Sequence, residues 1–201
     1  MDPTPTYFTY PSPFCYLAWH RITKHAERYR TVRLAWTPIL FRRLMALSEG
    51  AAGGSPPLQL KYSYEDAGRW AAAYGIPFAH FERKTPVDQT AHKMHLVAQD
   101  AGGTWEQRWM KSVFTFGRLE GQDTTDGPAI RRLADGLGLP GRDKVDDPML
   151  DGRLEMNTQH ALRVGVCGVP FIRHEGQPYW GNDRLPWLEA HLAGKPHPEV
   201  L

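Results

Sequence analysis

The chain has 201 residues, 24 Lys and Arg against 22 Asp and Glu, a formal net charge of +2 at pH 7 and two cysteines. That length suits one domain, or one domain carrying a large insertion, and a composition 41% hydrophobic and 23% charged excludes wholesale disorder. Scattered basic residues, the lack of any apolar run near the roughly 20 residues of a membrane span, and too few cysteines for a disulfide scaffold exclude nucleic-acid, membrane and disulfide-stapled classes. The start Met1-Asp2-Pro3-Thr4-Pro5-Thr6 has neither the basic nor the apolar character of a signal peptide, so a soluble, cytoplasmic protein is expected. The 19 glycines and 17 prolines exceed the usual combined share of about 12%. They sit at element boundaries rather than in a low-complexity linker.

Thr6 to Tyr10, aromatic and β-branched, predicts a first strand. Pro11-Ser12-Pro13 stops it, and Pro13 is placed to be the first residue of a helix carrying Phe14, Leu17, Ala18 and Ile22 on one stripe. Val32, Leu34 and Trp36 alternate along a second strand. Pro38 then opens a helical segment through Ile39, Leu40 and Leu44. After the loop Gly53-Gly54-Ser55-Pro56-Pro57, a further helix runs through Tyr64, Ala67 and Ala71 and closes at Gly75 and Pro77. Thr104 with Gln107 has the spacing of a capping box ahead of Trp109, Met110, Val113 and Phe114. Helical stripes recur at Ile130–Leu137 and Leu150–Leu162. Val169-Pro170-Phe171-Ile172 then starts a strand, Glu175-Gly176-Gln177 turns, and Tyr179-Trp180 returns. Asn182 and Asp183 fall where the last helix needs an N-cap, ahead of Leu185, Leu188 and Leu192. The order β–α–β, helices, β–β–α predicts an α/β thioredoxin-like fold with a large all-helical insertion. Residues 1–37 and 166–201 would form the thioredoxin-like domain and residues 38–165 the helical insertion domain.

Chemistry-bearing residues are few. Ser12-Pro13-Phe14-Cys15 lies at a strand-to-helix junction, where unpaired N–H groups and the positive end of the helix dipole favour an anion. In the thioredoxin arrangement the outer position of C-x-x-C carries the nucleophilic cysteine. Here that position is Ser12, whose hydroxyl can donate to a thiolate supplied by a cofactor, glutathione being the obvious one. The plainer reading of Ser12 is a helix cap. His92 and His95, at i and i+3, have no third metal ligand at sensible spacing and read as a solvated helix face rather than a metal centre. Trp105, Trp109 and Phe114 read as core or as a dimer surface. No nucleophile-elbow motif supports a hydrolase triad on Ser12.

Tyr10-Pro11-Ser12-Pro13-Phe14-Cys15-Tyr16-Leu17-Ala18 resembles the S-P-[YF]-S-[YW]-L start of 2-hydroxychromene-2-carboxylate isomerases and kappa-class glutathione transferases. Gly165-Val166-Cys167-Gly168-Val169-Pro170 is similar to their G-V-F-G-V-P, and Tyr179-Trp180-Gly181-Asn182-Asp183-Arg184-Leu185 to their F-W-G-x-D-R-L. Arg69-Trp70, Tyr74-Gly75-Ile76-Pro77-Phe78 and Glu120-Gly121-Gln122-Asp123 fit the same family in order along nearly the whole chain. The resemblance implies the wider DsbA-like thioredoxin group, a homodimer and glutathione as cofactor. It also implies a cis Val169-Pro170 bond, exposing the Val169 backbone for an extended tripeptide to pair with as an added strand. An isolated Val-Pro would otherwise begin an edge strand in trans. Asn182 and Asp183 would take the γ-glutamyl end of glutathione, carboxylate on helix N–H groups and ammonium on the Asp183 carboxylate; Asp183 as a simple N-cap is the alternative, and both can hold together.

Four positions depart from the family. Gly54 stands in the loop Ala52-Gly53-Gly54-Ser55 where many relatives carry Asn, and Gln59 where they carry a glutathione-contacting Lys, with Lys61 two residues on. Cys15 occupies the inner position of the redox motif and Cys167 stands three residues before Pro170, so both are candidate redox groups. Cys15 alternatively reads as a small buried hydrophobe, and a Cys15–Cys167 pairing awaits geometry. The expected function is a glutathione-dependent isomerase or transferase acting on a small electrophilic, aromatic substrate. Ser12 would hold the cofactor thiolate, and Trp36 and Trp70 would roof the pocket. The alternatives are a DsbA-like thiol–disulfide oxidoreductase using Cys15, or a non-catalytic glutathione- or peptide-binding relative.

Overall fold

The computed structural model describes residues 2–49, 57–80 and 87–198. Strand β1 (Thr4–Phe8) lies at the middle of a four-stranded sheet of order β2-β1-β3-β4, with β2 (Leu34–Pro38) parallel to β1, β3 (Phe171–His174) antiparallel to β1, and β4 (Gln177–Trp180) antiparallel to β3. All four strands come from the two ends of the chain. Between β2 and β3 the described residues form helices: α2 (Phe41–Glu49), α3 (Pro57–Tyr74), α4 (Thr90–Ala101), α5 (Trp105–Arg118), α6 (Gly127–Leu137) and α7 (Pro148–Arg163). Helices α1 (Pro13–Lys24) and α8 (Leu185–Leu192) complete the α/β order expected from the sequence. Among the described residues no helix is long and apolar enough to cross a membrane.

The pleat sorts residues to the two faces of the sheet. Thr6 faces Ile172 and Tyr7 faces Phe171 across β1 and β3. Ile172 packs with Ala18, Ile22, Leu185 and Leu188 of α1 and α8, whereas Tyr7 and Phe171 pack with Leu44 and Ala161 of α2 and α7. The Tyr7 hydroxyl ends on His160 Nδ1 at 2.6 Å. A third cluster joins Phe8, Tyr10 and Leu17 to Met94, Trp109, Phe114, Ile130 and Leu154, so the strand that precedes Ser12 is set in the same core as the helices of the middle segment.

Several boundaries differ from those read in the sequence. The first strand lies two residues earlier than expected, because Thr9 and Tyr10 leave the ladder: Thr9 Oγ1 lies 2.8 Å from His92 Nε2, and the Tyr10 N–H donates to the same nitrogen at 3.4 Å. The second strand lies later, because the Val32 N–H closes a turn onto Tyr29. Pro38 ends this strand rather than opening a helix, as an edge strand allows. Leu40 N–H then donates to Thr158 Oγ1 and Asn157 Nδ2 to the Pro38 carbonyl, which turns the chain into α2. Thr104 occupies the N-cap of α5 but its side chain makes no cap bond, so the capping box is not formed. Asn182 and Asp183 do not cap α8. They lie in a 3-10 turn, Asn182–Arg184, closed by Arg184 N–H on the Gly181 carbonyl, and α8 begins after it with Pro186 in its first turn.

Candidate active site

Ser12 is the N-cap of α1, with Pro13 in the first turn, and Ser12 Oγ accepts the Cys15 N–H at 3.3 Å. Because that oxygen is the acceptor, its hydroxyl proton can be donated, and the Cys15 thiol beside it is the partner within the chain with which an incoming acceptor would compete. The helix brings Phe14 into a cleft of about 640 Å³, shared with Asp66 and Trp70 of α3, Cys167, Val169, Phe171 and Trp180. The Val169-Pro170 peptide is cis. The Pro170 carbonyl accepts the Gly181 N–H at 2.9 Å, which ties the proline loop to the turn carrying Asn182 and Asp183, and both of these line the cleft. Gly181 sits at φ 101°, a conformation open to glycine, and a side chain there would meet the Asp183 carboxylate. The Asn182–Arg184 turn also packs against α1. Val169, Asn182 and Asp183 thus line one cleft with Phe14, two residues into the helix that Ser12 caps, whereas Ser12 and Pro170 do not line it themselves.

Asn182 is 1% exposed and its Nδ2 makes no hydrogen bond of ordinary geometry among the described residues; the half-buried Tyr74 hydroxyl lies beside Asn182 and Arg21. A buried amide donor in a cleft wall, beside a hydroxyl, fits an incoming acceptor such as a carboxylate. The cleft otherwise offers aromatic surface and charges of both signs, from Asp66, Asp183, Arg173 and Arg184.

Other expected residues lie elsewhere. The Lys61 side chain is 76% exposed, pairs with Glu65 at 3.9 Å and does not line the cleft; Gln59 is exposed on the same helix. Gly54 and its loop fall outside the described residues. Trp70 lines the cleft, but Trp36 does not, because β2 is the sheet edge opposite β4. The Trp36 ring packs edge-on against Phe8, and its carbonyl accepts from Gln99 at 2.9 Å. The two cysteines are both free. Cys15 is fully buried, and burial pushes its thiol up to about 12 although Ser12, the Thr9 backbone and Arg118 act to lower it. Its burial fits the plainer reading of a small core residue, and desolvation acts against a thiolate there. Cys167 is exposed in the cleft.

His92 and His95 are not on a solvated face. They are 2% and 0% exposed and form the polar support beneath the Ser12 loop. His95 Nε2 lies 3.1 Å from the Trp36 carbonyl, which can only accept, so that nitrogen carries a proton; Nδ1 lies 2.9 Å from the Tyr10 hydroxyl. Burial acts to raise the Glu106 carboxyl, but hydrogen bonds from His95 and Gln99 outweigh it and hold it below its usual range. His92 accepts from Tyr10 N–H and is therefore neutral; burial, then His95, lowers it to about 3. Arg118 is fully buried and donates to the Pro11 carbonyl, placing a positive charge behind the Ser12 turn. The stripe Met110, Phe114, Arg118 continues at i+4 spacing, which is the signal that could have marked Arg118 as inward-facing. Asp66, four residues before Trp70, is marked the same way.

Gly168 lets the Trp180 indole lie against the backbone just before Val169. An added Cβ would stand 2.3 Å from Trp180 Nε1 and 2.6 Å from Cε2. Gly168→Ala is therefore expected to displace Trp180 at an overpacking cost of about 1 kcal/mol, seen as a shift in tryptophan emission and a loss of ligand affinity at the cleft.

The family described as DSBA-like thioredoxin domain matches residues 5–193. The chain is 27% identical over 191 residues to the 2-hydroxychromene-2-carboxylate isomerase of Sphingobium xenophagum, covering 92% of this chain and 95% of the relative. It is 28% identical over 197 residues to the protein of that name from Pseudomonas sp. (strain C18), covering 94% and 90%. A solved structure of 2-hydroxychromene-2-carboxylate isomerase is similar with a TM-score of 0.76 at 26% identity, over 96% of this chain and 95% of that one.

Proposed function

We propose that this chain, which belongs to the DSBA-like thioredoxin domain family, is a glutathione-dependent isomerase of the 2-hydroxychromene-2-carboxylate type. The observation that carries the reading is the meeting, around one cleft, of segments that are far apart in a chain related over most of its length to isomerases of that name: Phe14 beside the Ser12 cap, cis Val169-Pro170, and Asn182-Asp183.

Held by these residues, glutathione would supply a thiol nucleophile for reversible addition to the conjugated system of the substrate. Ser12 contributes the hydroxyl proton left over from its cap bond, donated to that sulfur, and the N-terminus of α1 adds the positive end of its dipole. Arg118, behind Pro11, adds a fixed positive charge to the same end of the helix. The Val169 backbone offers strand-like pairing to an extended tripeptide. The buried Asn182 amide takes the γ-glutamyl carboxylate and Asp183 its ammonium. Phe14, Trp70 and Trp180 give the aromatic wall against which an unsaturated ring acid lies.

Calorimetry with glutathione tests the reading. Saturable binding in the millimolar range or tighter is expected, and its absence sinks the proposal. Cys15→Ser separates the reading from a thiol–disulfide oxidoreductase: with the Cys15 thiol pushed up to about 12, isomerisation should continue without that sulfur. Loss of activity in a folded Cys15→Ser protein would favour redox chemistry instead.

A further inference from the structure

The β3–β4 hairpin and the end of α8 bring together His174, Glu175 and His191, none of which lines the cleft. We propose that these three side chains form a binding site for a first-row divalent cation of the zinc type. One ligand atom from each lies within 4.8 Å of the other two. Zinc bonds to imidazole nitrogen and carboxylate oxygen at about 2.0–2.2 Å, so the donors of a bound ion stand about 3.4 Å apart and the cluster needs to close by about 1 Å. The Glu175 side chain, 70% exposed on the turn, has the freedom to do so.

The surroundings prepare the imidazole for this role. Tyr179 Oη lies 2.6 Å from His191 Nδ1, and His191 Nε2 lies 3.2 Å from Glu175 Oε2. When the tyrosine accepts the Nδ1 proton, the Nε2 lone pair faces a carboxylate oxygen, an arrangement that a cation between them satisfies, with Tyr179 as the outer partner that orients the ligand. The His174 ring stands 5.2 Å from the His191 ring at 60° and closes the third side. The turn itself carries φ of 47° at Glu175 and 81° at Gly176, the signature of a tight hairpin whose first position favours Asn, Asp or Gly. The chain keeps a longer carboxylate at that position, beside the two histidines. Two imidazoles and one carboxylate with an open position select zinc and its neighbours over magnesium or calcium. A bound ion would join the hairpin turn to the last turn of α8 and so stabilise the native state by mass action.

The test is calorimetry of tag-free, chelator-stripped protein titrated with zinc chloride and, separately, magnesium chloride. One zinc ion per chain at micromolar affinity or tighter is expected, with no heat from magnesium. His174→Ala, His191→Ala and the conservative Glu175→Gln are each expected to weaken zinc binding about tenfold or more. Each metal-free variant should still unfold cooperatively, Glu175→Gln closest to the metal-free parent, and the rise in midpoint that zinc gives the parent should be lost in the variants. No saturable binding at about 100 µM zinc, or affinity unchanged in Glu175→Gln and His174→Ala, overturns the proposal. Neither result depends on glutathione or on the cleft.

Discussion

Ser12→Ala is expected to lower glutathione-dependent turnover by about two to three orders of magnitude, the usual effect of removing one preorganised donor from a developing or resident anion. The loss should appear in turnover rather than in glutathione affinity, because the backbone of Val169, the Asn182 amide and the Asp183 carboxylate are untouched. The same oxygen accepts the Cys15 N–H at 3.3 Å, so the substitution also removes a helix cap, at a cost of about 1 kcal/mol. Thermal unfolding separates the two effects: a protein that melts a few degrees lower yet binds glutathione normally and turns over poorly has lost a donor and not its fold. A Ser12→Thr variant keeps both the cap and the hydroxyl and should retain far more activity. Full turnover in folded Ser12→Ala would remove Ser12 from the chemistry.

The second expectation concerns acid. Burial, then the neighbouring His95, lowers His92 from its ordinary 6.5 to about 3 in the folded protein. Between those values the unfolded chain binds a proton that the folded chain does not, so stability rises with pH across that window and is lost as pH falls below 6.5. The slope from this one group approaches about 1.4 kcal/mol per pH unit, or about 2 kcal/mol lost by pH 5. His92→Gln, whose side-chain oxygen can accept from Tyr10 N–H and Thr9 without titrating, should flatten the profile by about one proton. Denaturant unfolding of both chains at pH 7, 6 and 5 checks this, the difference between them isolating His92 from the other histidines. Equal pH dependence in the two chains would show that His92 is protonated in the fold or contributes nothing. Because His92 holds Thr9 and Tyr10, the acid-weakened region is the loop that carries Ser12.

The elements most legible in the sequence were those set by local chemistry. Pro13 had to open a helix and Ser12 to cap it, Gly75 to end α3, and Glu175-Gly176 to turn a hairpin, because each depends on neighbours along the chain. Trp70 and the cis Val169-Pro170 bond were reached through motifs. What local pattern could not reveal was settled by contacts between distant segments. Thr9 and Tyr10 read as strand, but a histidine 82 and 83 positions away takes their polar groups. His92 and His95 read as a solvated face because nothing near them in sequence pairs with them; their partners, Thr9, Tyr10, the Trp36 carbonyl and Glu106, come from the loop after β1, from β2 and from α5. Trp36 reads as a pocket residue from its aromatic character alone, but the strand order puts β2 at the far edge. Asn182 read as a cap, yet the tight turn after Gly181 buries it in the cleft wall.

The proposed chemistry turns on a borrowed thiolate held at the Ser12 end of α1. Its most direct test is the conversion of 2-hydroxychromene-2-carboxylate to its ring-opened isomer, followed spectrophotometrically with purified protein in the presence and absence of glutathione. Conversion that saturates with glutathione and stops without it is the expected result; conversion that proceeds equally well without glutathione, or none at saturating glutathione, would contradict it.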